Sequence, residues 1–253
     1  MSFRSRAASA SLLIAILLPV TALGAGPAPA PLFDGGSTRV TAAAFKALPA
    51  CRYRDIRTRF RRTSQWRRTL VDTNLRVGAG YKPHDLVSVS RAGIGGSGRI
   101  RRVAIDDLRA MARAARRAGK GIAVRSAFRS YSEQIAVFNG WVARSGYQQA
   151  LLYSARPGHS EHQLGTAIDF RSSSSATAPW DYTDWGRTPS GRWMKQNAWR
   201  YGWVSSYPAG KRAEVCYAYE PWHWRYVGRP MARQILDSGL TLRKFLWRRF
   251  ESR

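Results

Sequence analysis

Four residues in two short segments have the types and spacing to bind a metal ion and move a proton. His162 and Asp169 lie in the first segment, and Glu220 and His223 lie in the second. Two histidines and an aspartate are plausible ligands for one Zn²⁺, and catalytic zinc sites commonly use three protein ligands and leave a fourth position for water. Glu220 is then available as the general base that such a water needs. The pattern predicts a hydrolytic zinc centre.

The other two histidines are weaker candidates. His159 lies three residues before His162, and the pair could face one side of a helical turn, so the residues alone leave His159 open as a rival ligand or a residue of the cleft rim. His84 has no partner near it in the sequence and is interpreted as structural. A single histidine is weak evidence for a metal site, but three of the four histidines lie in or beside the two segments. This clustering favours a metal role.

The helices and short strands predicted around these residues indicate a single compact α+β domain. A small antiparallel sheet is expected to bear the zinc site, with helices flanking the sheet. The apolar period of residues 104–116 predicts an amphipathic helix, and Ser130 and Glu133 form a capping-box pattern that opens another helix. Further helices are predicted over 149–154, 191–201, 231–236 and 242–250. Strands are predicted over 70–74, 85–89, 122–124, 166–170, 203–205 and 215–219.

The first residues have the pattern of a secretory signal peptide, predicted over 1–25: two arginines, an apolar run and small residues for cleavage. The apolar run is short for a membrane span, and no later stretch approaches about 18 apolar residues. We therefore expect an exported protein, periplasmic or secreted, without a transmembrane segment in its mature form. Residues 26–65 are predicted to be a flexible, basic N-terminal segment, and residues 66–250 to form the domain.

Two cysteines, Cys51 and Cys216, fit an exported protein, in which a disulfide can persist. If they pair, the disulfide ties the early segment to the residues just before Glu220. The alternative is two unpaired buried thiols, which export disfavours.

The formal net charge is +27, and loss of Arg4 and Arg6 with the signal peptide leaves +25 (27 − 2) on the side chains. Such a field attracts polyanions. For an exported protein, anionic envelope polymers are the expected partners. No specific nucleic acid is expected, because the basic residues are spread along the chain and no zinc-finger, helix-turn-helix or RNA-binding signature accompanies them.

Both segments also carry a specific resemblance. The motif Ser160-x-His162-x-x-Gly165-x-Ala167-x-Asp169, followed by Glu220-Pro221-Trp222-His223, resembles the signature of the VanY-like D-alanyl-D-alanine carboxypeptidases, zinc peptidases related to the VanX-type dipeptidases. The resemblance covers about residues 66–247 and includes residues 125–134, 197–203 and 224–228.

This resemblance implies a role for each residue of the two segments. His162, Asp169 and His223 would hold one Zn²⁺ per chain. Glu220 would deprotonate the attacking water and return a proton to the leaving amine.

The resemblance also implies residues that contact the substrate. Arg129 would pair with the terminal carboxylate or help to polarise the carbonyl, a task that suits the planar, permanently charged guanidinium. Gln134 and Ser160 match substrate-contacting positions, although capping or structural hydrogen bonds explain them equally well. Arg125 is interpreted as structural.

The expected activity is therefore that of an exported zinc carboxypeptidase that removes the terminal D-alanine from peptidoglycan stem peptides. An L,D-carboxypeptidase or an endopeptidase with the same metal ligands remains an alternative. A non-catalytic, cationic envelope- or nucleic-acid-binding protein is the alternative from another class, and the presence of every site group argues against it.

Overall fold

The computed structural model describes residues 46–252 of the chain. The predicted signal peptide, residues 1–25, and residues 26–45 of the predicted N-terminal segment lie outside the described residues. Within residues 46–252, no helix has the length and apolar character needed to cross a membrane.

Three sheets are present in the described part of the chain. Their strands are β1 (Ile56–Arg57), β2 (Leu75–Arg76), β3 (Leu86–Ser88), β4 (Gly95–Gly96), β5 (Arg99–Arg101), β6 (Ile122–Ser126), β7 (Ala167–Ser172), β8 (Trp203–Ser205) and β9 (His223–Tyr226). The largest sheet has the order β4-β6-β7-β9-β8, with a parallel β4–β6 pair and antiparallel pairs elsewhere. β1 pairs with β2 in parallel, and β3 pairs with β5 antiparallel.

Helices flank this sheet, and two of them show the features that the sequence predicted. The first helix buries Leu108, Met111 and Ala115 in the same core cluster as the sheet. The predicted capping box is present, since Glu133 N donates to Ser130 Oγ and Ser130 N donates to a Glu133 carboxylate oxygen. The α-helices of the described residues are α1 (Ile105–Arg117), α2 (Tyr131–Ser145), α3 (Tyr147–Tyr153), α4 (Pro189–Asn197), α5 (Arg212–Val215), α6 (Arg229–Ser238) and α7 (Leu242–Leu246), and Trp247–Glu251 continues α7 as a π-helical turn.

Alternation along the central strands separates the core from the site. Ile168 and Phe170 on β7 are fully buried in the main core cluster. Asp169 lies between them and points to the other face, because successive side chains of a strand alternate. Trp224 on β9 likewise enters the core, whereas His223 lines a cavity on the opposite face. The prediction of an α+β fold with a site-bearing sheet is confirmed.

Two of the predicted strands are wrong. Residues 70–74 form no strand and bend at 72–74, because Asp72 Oδ1 accepts hydrogen bonds from the backbone N–H groups of Asn74 and Leu75, both at 2.7 Å. Such side-chain bonds compete with a strand ladder. Residues 215–219 also form no strand, because α5 ends at Val215 and Cys216 adopts a left-handed conformation with φ of 75°.

The described part of the predicted N-terminal segment, residues 46–65, lies against the domain. Ile56 N donates to the carbonyl of Asn74 at 2.9 Å, and this contact belongs to the β1–β2 pairing. Cys51 forms a disulfide with Cys216, so the predicted pairing is confirmed. The disulfide joins this segment to the loop that leads to Glu220.

Replacing both cysteines, Cys51→Ser/Cys216→Ser, should lower the free energy of unfolding by about 2–5 kcal/mol, because the disulfide closes a long loop and restricts the unfolded chain. The two cysteines are 165 residues apart. Denaturant unfolding of the double variant checks this value. The wild type in excess reductant should shift to the same midpoint, and an unchanged midpoint in both would contradict the prediction.

Candidate metal centre and active site

The three predicted metal ligands converge in the structure. Asp169 on β7 stands directly opposite His223 on β9 in the antiparallel register. His162 lies in the 3-10 helix Glu161–Leu164, which immediately precedes β7. One ligand atom from each residue lies within 4.8 Å of the others, and all three side chains are buried. The structure thus brings together the histidines and the aspartate that the sequence singled out.

A glycine turn places His162 beside the strand. The 3-10 helix ends at Gly165, which has a left-handed φ of 69°, a conformation that glycine adopts without strain. A Cβ atom at this position would lie 2.9 Å from Leu86 Cδ2. Both the conformation and the space therefore favour glycine at this turn.

Hydrogen bonds select the nitrogen that each histidine presents. His162 Nδ1 donates to the carbonyl of Ala127 at 2.6 Å and leaves Nε2 at 3.2 Å from Asp169 Oδ2. His223 Nε2 donates to Glu161 Oε2 at 3.0 Å, which leaves Nδ1 at 3.0 Å from Asp169 Oδ1. Metal-binding histidines commonly have the second nitrogen fixed in this way. The donor set fits Zn²⁺, which would be held by His162 Nε2, His223 Nδ1 and the Asp169 carboxylate.

The protonation of the two histidines differs in the metal-free protein. Burial lowers the pKa of His162 to about 4. Burial also disfavours the charged form of His223, but its hydrogen bonds to Asp169 and Glu161 outweigh this effect and raise the pKa to about 10. A bound cation must therefore displace a proton from His223 Nδ1, because a ligand nitrogen has to be deprotonated.

Glu161 is a functional candidate that the sequence analysis did not identify. Its buried carboxylate accepts hydrogen bonds from His223 Nε2, from Arg225 Nη1 at 2.9 Å and from Ser206 Oγ at 2.6 Å. Burial opposes its charge, yet Arg225 and His223 hold the pKa of Glu161 at about 2. Its place next to His162 was the available signal, but only the fold shows that it supports the other histidine.

Glu220 lies where a general base is needed. Its side chain is mostly buried, lines the same cavity, and places Oε2 at 3.9 Å from His223 Nδ1. Burial raises the pKa of Glu220 to about 8, and the nearby His223 and Arg129 only partly offset this. The pKa of Glu220 is thus raised whereas that of Glu161 is lowered, and such opposite shifts suit different chemical roles for the two carboxylates.

Arg129 also reaches the centre, and Gln134 supports it from behind. Arg129 Nη1 lies 3.7 Å from Asp169 Oδ2 and donates to Ser126 Oγ at 2.7 Å. Arg129 Nε donates to Gln134 Oε1 at 2.9 Å, and Gln134 Nε2 donates to the carbonyl of Ala155 at 2.8 Å. Gln134 is fully buried and its amide is already engaged at both ends. Of its two predicted roles, the structure supports the structural hydrogen bonds.

Ser160 makes the predicted capping hydrogen bond, and its contact with substrate stays a prediction. It lines the cavity, and its Oγ caps the 3-10 helix by accepting from His162 N at 3.3 Å. The two other histidines lie away from the centre. His159 is buried between the carbonyl of Asp72 and the Asp55 carboxylate, so it is neither a ligand nor a rim residue. His84 is exposed.

A cavity of about 630 Å³ opens above the centre. Its floor holds the ligands, and several aromatic side chains line its walls. Trp180 packs edge-on against Trp222, and the Arg125 guanidinium lies over the Trp180 ring at 5.3 Å. Arg125 therefore lies at the cavity wall. The aromatic residues lining the cavity are Trp141, Tyr153, Trp180, Tyr207, Tyr217, Tyr219 and Trp222.

Comparison with known families agrees with this geometry. Residues 97–229 match the family model of VanY, D-alanyl-D-alanine carboxypeptidase, and this match contains every ligand and Glu220. The chain belongs to the VanY family. The resemblance seen in the motifs is confirmed.

Individual VanY relatives match over part of their length. The chain is 40% identical to Bacillus subtilis YodJ over 147 residues, which are 58% of this chain and 53% of YodJ. It is 31% identical to a D-alanyl-D-alanine carboxypeptidase of Enterococcus faecium over 49% of this chain and 35% of that protein. The chain thus spans about half or less of the length of these two relatives.

Two solved structures of similar proteins align with this chain over almost their whole length. The LD-carboxypeptidase LdcB has a TM-score of 0.64 and 30% identity, with 78% of this chain and 98% of LdcB covered. The D,D-pentapeptidase VanY from the VanB-type vancomycin resistance cassette was solved with Zn(II). It has a TM-score of 0.61 and 28% identity, and the alignment covers 72% of this chain and 99% of that VanY chain. The predicted zinc cofactor agrees with that structure and with the donor set of this chain.

The substitution Glu161→Gln should weaken zinc binding about 10- to 100-fold, because removing a hydrogen-bonded support of a metal ligand has effects of this size. It leaves Arg225 without its charged partner and loosens His223. Competition with a chromophoric chelator measures the zinc affinity directly. Ser206→Ala, which removes only one contact of Glu161, should weaken it less, and Glu214→Gln, outside the cavity, serves as the control. Unchanged zinc affinity in Glu161→Gln contradicts the assigned role.

In the metal-free protein, Glu220→Gln should become more stable relative to the wild type as the pH rises from about 5 to about 8. The pKa of Glu220 rises from 4.5 to about 8 on folding. Between these two pH values, ionisation of Glu220 therefore destabilises the folded wild type, whereas glutamine does not ionise. The gain is at most about 4 kcal/mol. Denaturation with chelator present, over this pH range, measures it.

The matched control for this experiment is Glu214→Gln. Folding lowers the pKa of Glu214, so its contribution is lost only as the pH falls and the difference from wild type should stay constant between about pH 5 and pH 8. A pH-independent difference for Glu220→Gln as well would show that Glu220 ionises normally in the folded protein.

Proposed function

We propose that this protein is an exported, zinc-dependent carboxypeptidase that removes the C-terminal D-alanine from peptidoglycan stem peptides. The observation that carries the proposal is the buried group of His162, Asp169 and His223 at the floor of a cavity that also presents Glu220 and Arg129. This set contains a metal site, a base and a carboxylate-binding cation. Membership of the VanY family supports the same activity.

Zinc at this centre would polarise the scissile carbonyl and make water a better nucleophile near neutral pH. Glu220 is the residue that accepts the proton of the attacking water and delivers it to the departing amine, so that D-alanine leaves with a neutral amino group. Glu161 keeps His223 oriented throughout, because its three hydrogen bonds hold the carboxylate in place.

Arg129 binds the substrate at the end that is released. Ser126 and Gln134 hold its guanidinium, and 23% of the side chain remains exposed. A fixed guanidinium can pair with the terminal carboxylate through two hydrogen bonds. The requirement for a free carboxyl terminus follows from this contact.

An L,D-carboxypeptidase is the second candidate function. LdcB, described as an LD-carboxypeptidase, matches 78% of this chain with a TM-score of 0.64. Both activities need the same metal ligands, base and cation, and they differ in the configuration of the residue that donates the scissile carbonyl.

The proposed location is the cell envelope, and the proposed partners beyond the substrate are anionic envelope polymers. The signal-peptide pattern of residues 1–25 supports export. The formal charge of +27 supports attraction to polyanions, which should weaken as salt screens it.

Zinc-loaded protein should release only the last D-alanine from a synthetic stem pentapeptide that ends in D-Ala-D-Ala. Glu220→Ala should abolish release while zinc stays bound, because the base is lost and the ligands remain. Release of D-alanine is measured by chromatography and bound zinc by elemental analysis. Cleavage of a stem tetrapeptide instead of the pentapeptide would assign the L,D activity, and no cleavage of either would remove the proposal.

Arg129→Lys should raise KM at least about tenfold, because a lysine cannot reproduce two-point binding of a carboxylate. A pentapeptide with an amidated C-terminus provides the comparison. The wild type should cleave the amide poorly, and the variant should discriminate less between the two peptides. Equal discrimination by both proteins would exclude a carboxylate contact at Arg129.

A further inference from the structure

Two arginines at the cavity wall lack a counter-charge. Among the described residues, neither Arg125 nor Arg144 has a carboxylate oxygen within 4.0 Å, and both side chains are exposed. Most exposed arginines of a protein face bulk solvent, but these two line the cavity that contains the metal centre. Their position gives them access to a bound substrate.

Aromatic rings hold both guanidinium groups near the wall. Arg125 lies 5.3 Å from the Trp180 ring, and Arg144 lies 6.0 Å from the Trp141 ring. Such cation–aromatic contacts restrict a long side chain without neutralising its charge. The two pairs come from different elements, since Arg144 and Trp141 lie on α2, whereas Arg125 is the penultimate residue of β6 and Trp180 follows β7.

A β-bulge explains how Arg125 reaches this face. The register between β6 and β7 shifts between Val124 and Ser126, and a bulge re-aims the side chains beside it. Val124 remains in the core, whereas Arg125 and Ser126 both line the cavity. Strict alternation would put only one of these two adjacent side chains on that face.

The cavity is larger than the scissile dipeptide requires. A volume of about 630 Å³ is within the range of sites that enclose drug-sized ligands. The floor is occupied by the metal ligands, Glu220 and Arg129, so the part of a peptide that precedes the scissile bond must run along the walls. Trp180 and Tyr153 remain 39% and 50% exposed there and offer surfaces for its contact.

The acidic residues of the cavity do not cancel the two arginines. Glu161 and Asp169 are committed to the histidines at the floor, and the Glu220 side chain is mostly buried beside His223. Asp181 is the remaining acidic residue of the lining, next to Trp180. The wall therefore presents two cations and one anion to a substrate.

We propose that Arg125 and Arg144 form an anchoring site for a carboxylate-bearing side chain upstream of the D-Ala-D-Ala bond, so that the enzyme prefers stem peptides with an acidic third residue over those with a basic one. Diaminopimelate, whose side chain ends in a carboxylate beside an ammonium group, provides the carboxylate that this site would bind, whereas lysine provides only an ammonium group. This inference rests on the proposed function, because it places the scissile bond at the metal centre.

Three N-acetylated peptides X-D-Ala-D-Ala test the preference, with X as α-aminopimelate, norleucine or lysine. Their side chains end in a carboxylate, a methyl group and an ammonium group, respectively. The wild type should show its highest kcat/KM for aminopimelate and its lowest for lysine. Arg125→Ala and Arg144→Ala should each reduce the aminopimelate-to-lysine ratio about threefold to fivefold, the range expected for exposed charge pairs, and mainly through KM.

Further variants separate a local contact from the overall charge of the protein. Arg113→Ala removes one exposed charge from α1 outside the cavity and should leave the ratio unchanged. Arg144→Glu should lower the ratio further, and Asp181→Asn should raise it. Each variant is checked for an unchanged melting temperature. Equal kcat/KM values for the three peptides, or the same ratio in Arg144→Ala and Arg113→Ala, would overturn the inference.

Binding measurements keep this test independent of the proposed activity. Zinc-loaded Glu220→Ala is titrated calorimetrically with the same three peptides. Tighter binding of the aminopimelate peptide, reduced by adding Arg144→Ala, supports the anchoring site even if the wild type cleaves none of the peptides. Release of D-alanine at one rate from all three peptides would retain the proposed function and refute the anchoring site.

Discussion

The pairing of β7 with β9 is the constraint on which the site depends. It places Asp169 opposite His223, so the two ligands from distant parts of the sequence need no further element to bring them together. The core on the other face makes this register strict, because a slip by one residue would move Ile168 and Trp224 out of the core. The same hydrophobic packing that stabilises the sheet therefore sets the distance between the ligands.

Burial of the site creates an electrostatic problem that the fold resolves with paired charges. Arg225 is fully buried, and it contacts Glu161 and the carbonyls of Trp66 and Thr69. A buried ion pair is not by itself strong evidence for stability, since desolvation offsets much of the attraction. Its role here is orientation: the pair holds a carboxylate charged at the point where His223 needs a partner.

Several contacts connect the N-terminal segment to this framework, and one of them is made by the buried Arg243, whose Nη2 donates to the carbonyl of Pro49 at 3.0 Å. Asp72 pairs with Arg243 at 2.6 Å, and both side chains are buried. Asp55 contacts His159, and Cys51 is joined to Cys216. Two of them reach the chain just before Tyr217 and Glu220, because Cys216 precedes Tyr217 and Arg243 Nη1 donates to the carbonyl of Glu214 at 2.8 Å. A very basic protein thus uses several of its arginines as internal supports and leaves others on the surface and around the cavity.

The sequence alone determined the chemistry of the centre and most elements around it. His162, Asp169 and His223 stand in motifs that resemble those of VanY-like zinc peptidases, and the period of α1 depends only on local order along the chain. The cysteine pairing was also predictable, because the chain has two cysteines and the signal-peptide pattern predicted export, which favours a disulfide. Roles for Glu220 and Arg129 stay predictions that the geometry supports.

Only the tertiary structure decided which residues support the ligands and line the cavity. Glu161, Gln134 and Arg125 are polar residues in local patterns that do not distinguish a buried support from a surface group. Their roles come from partners far away in the sequence, such as Arg225 for Glu161, and from a bulge that no periodic pattern reveals. The physical reason is that a hydrogen bond or an ion pair is specified by position in space, whereas sequence periodicity specifies only the face of an element on which a residue lies.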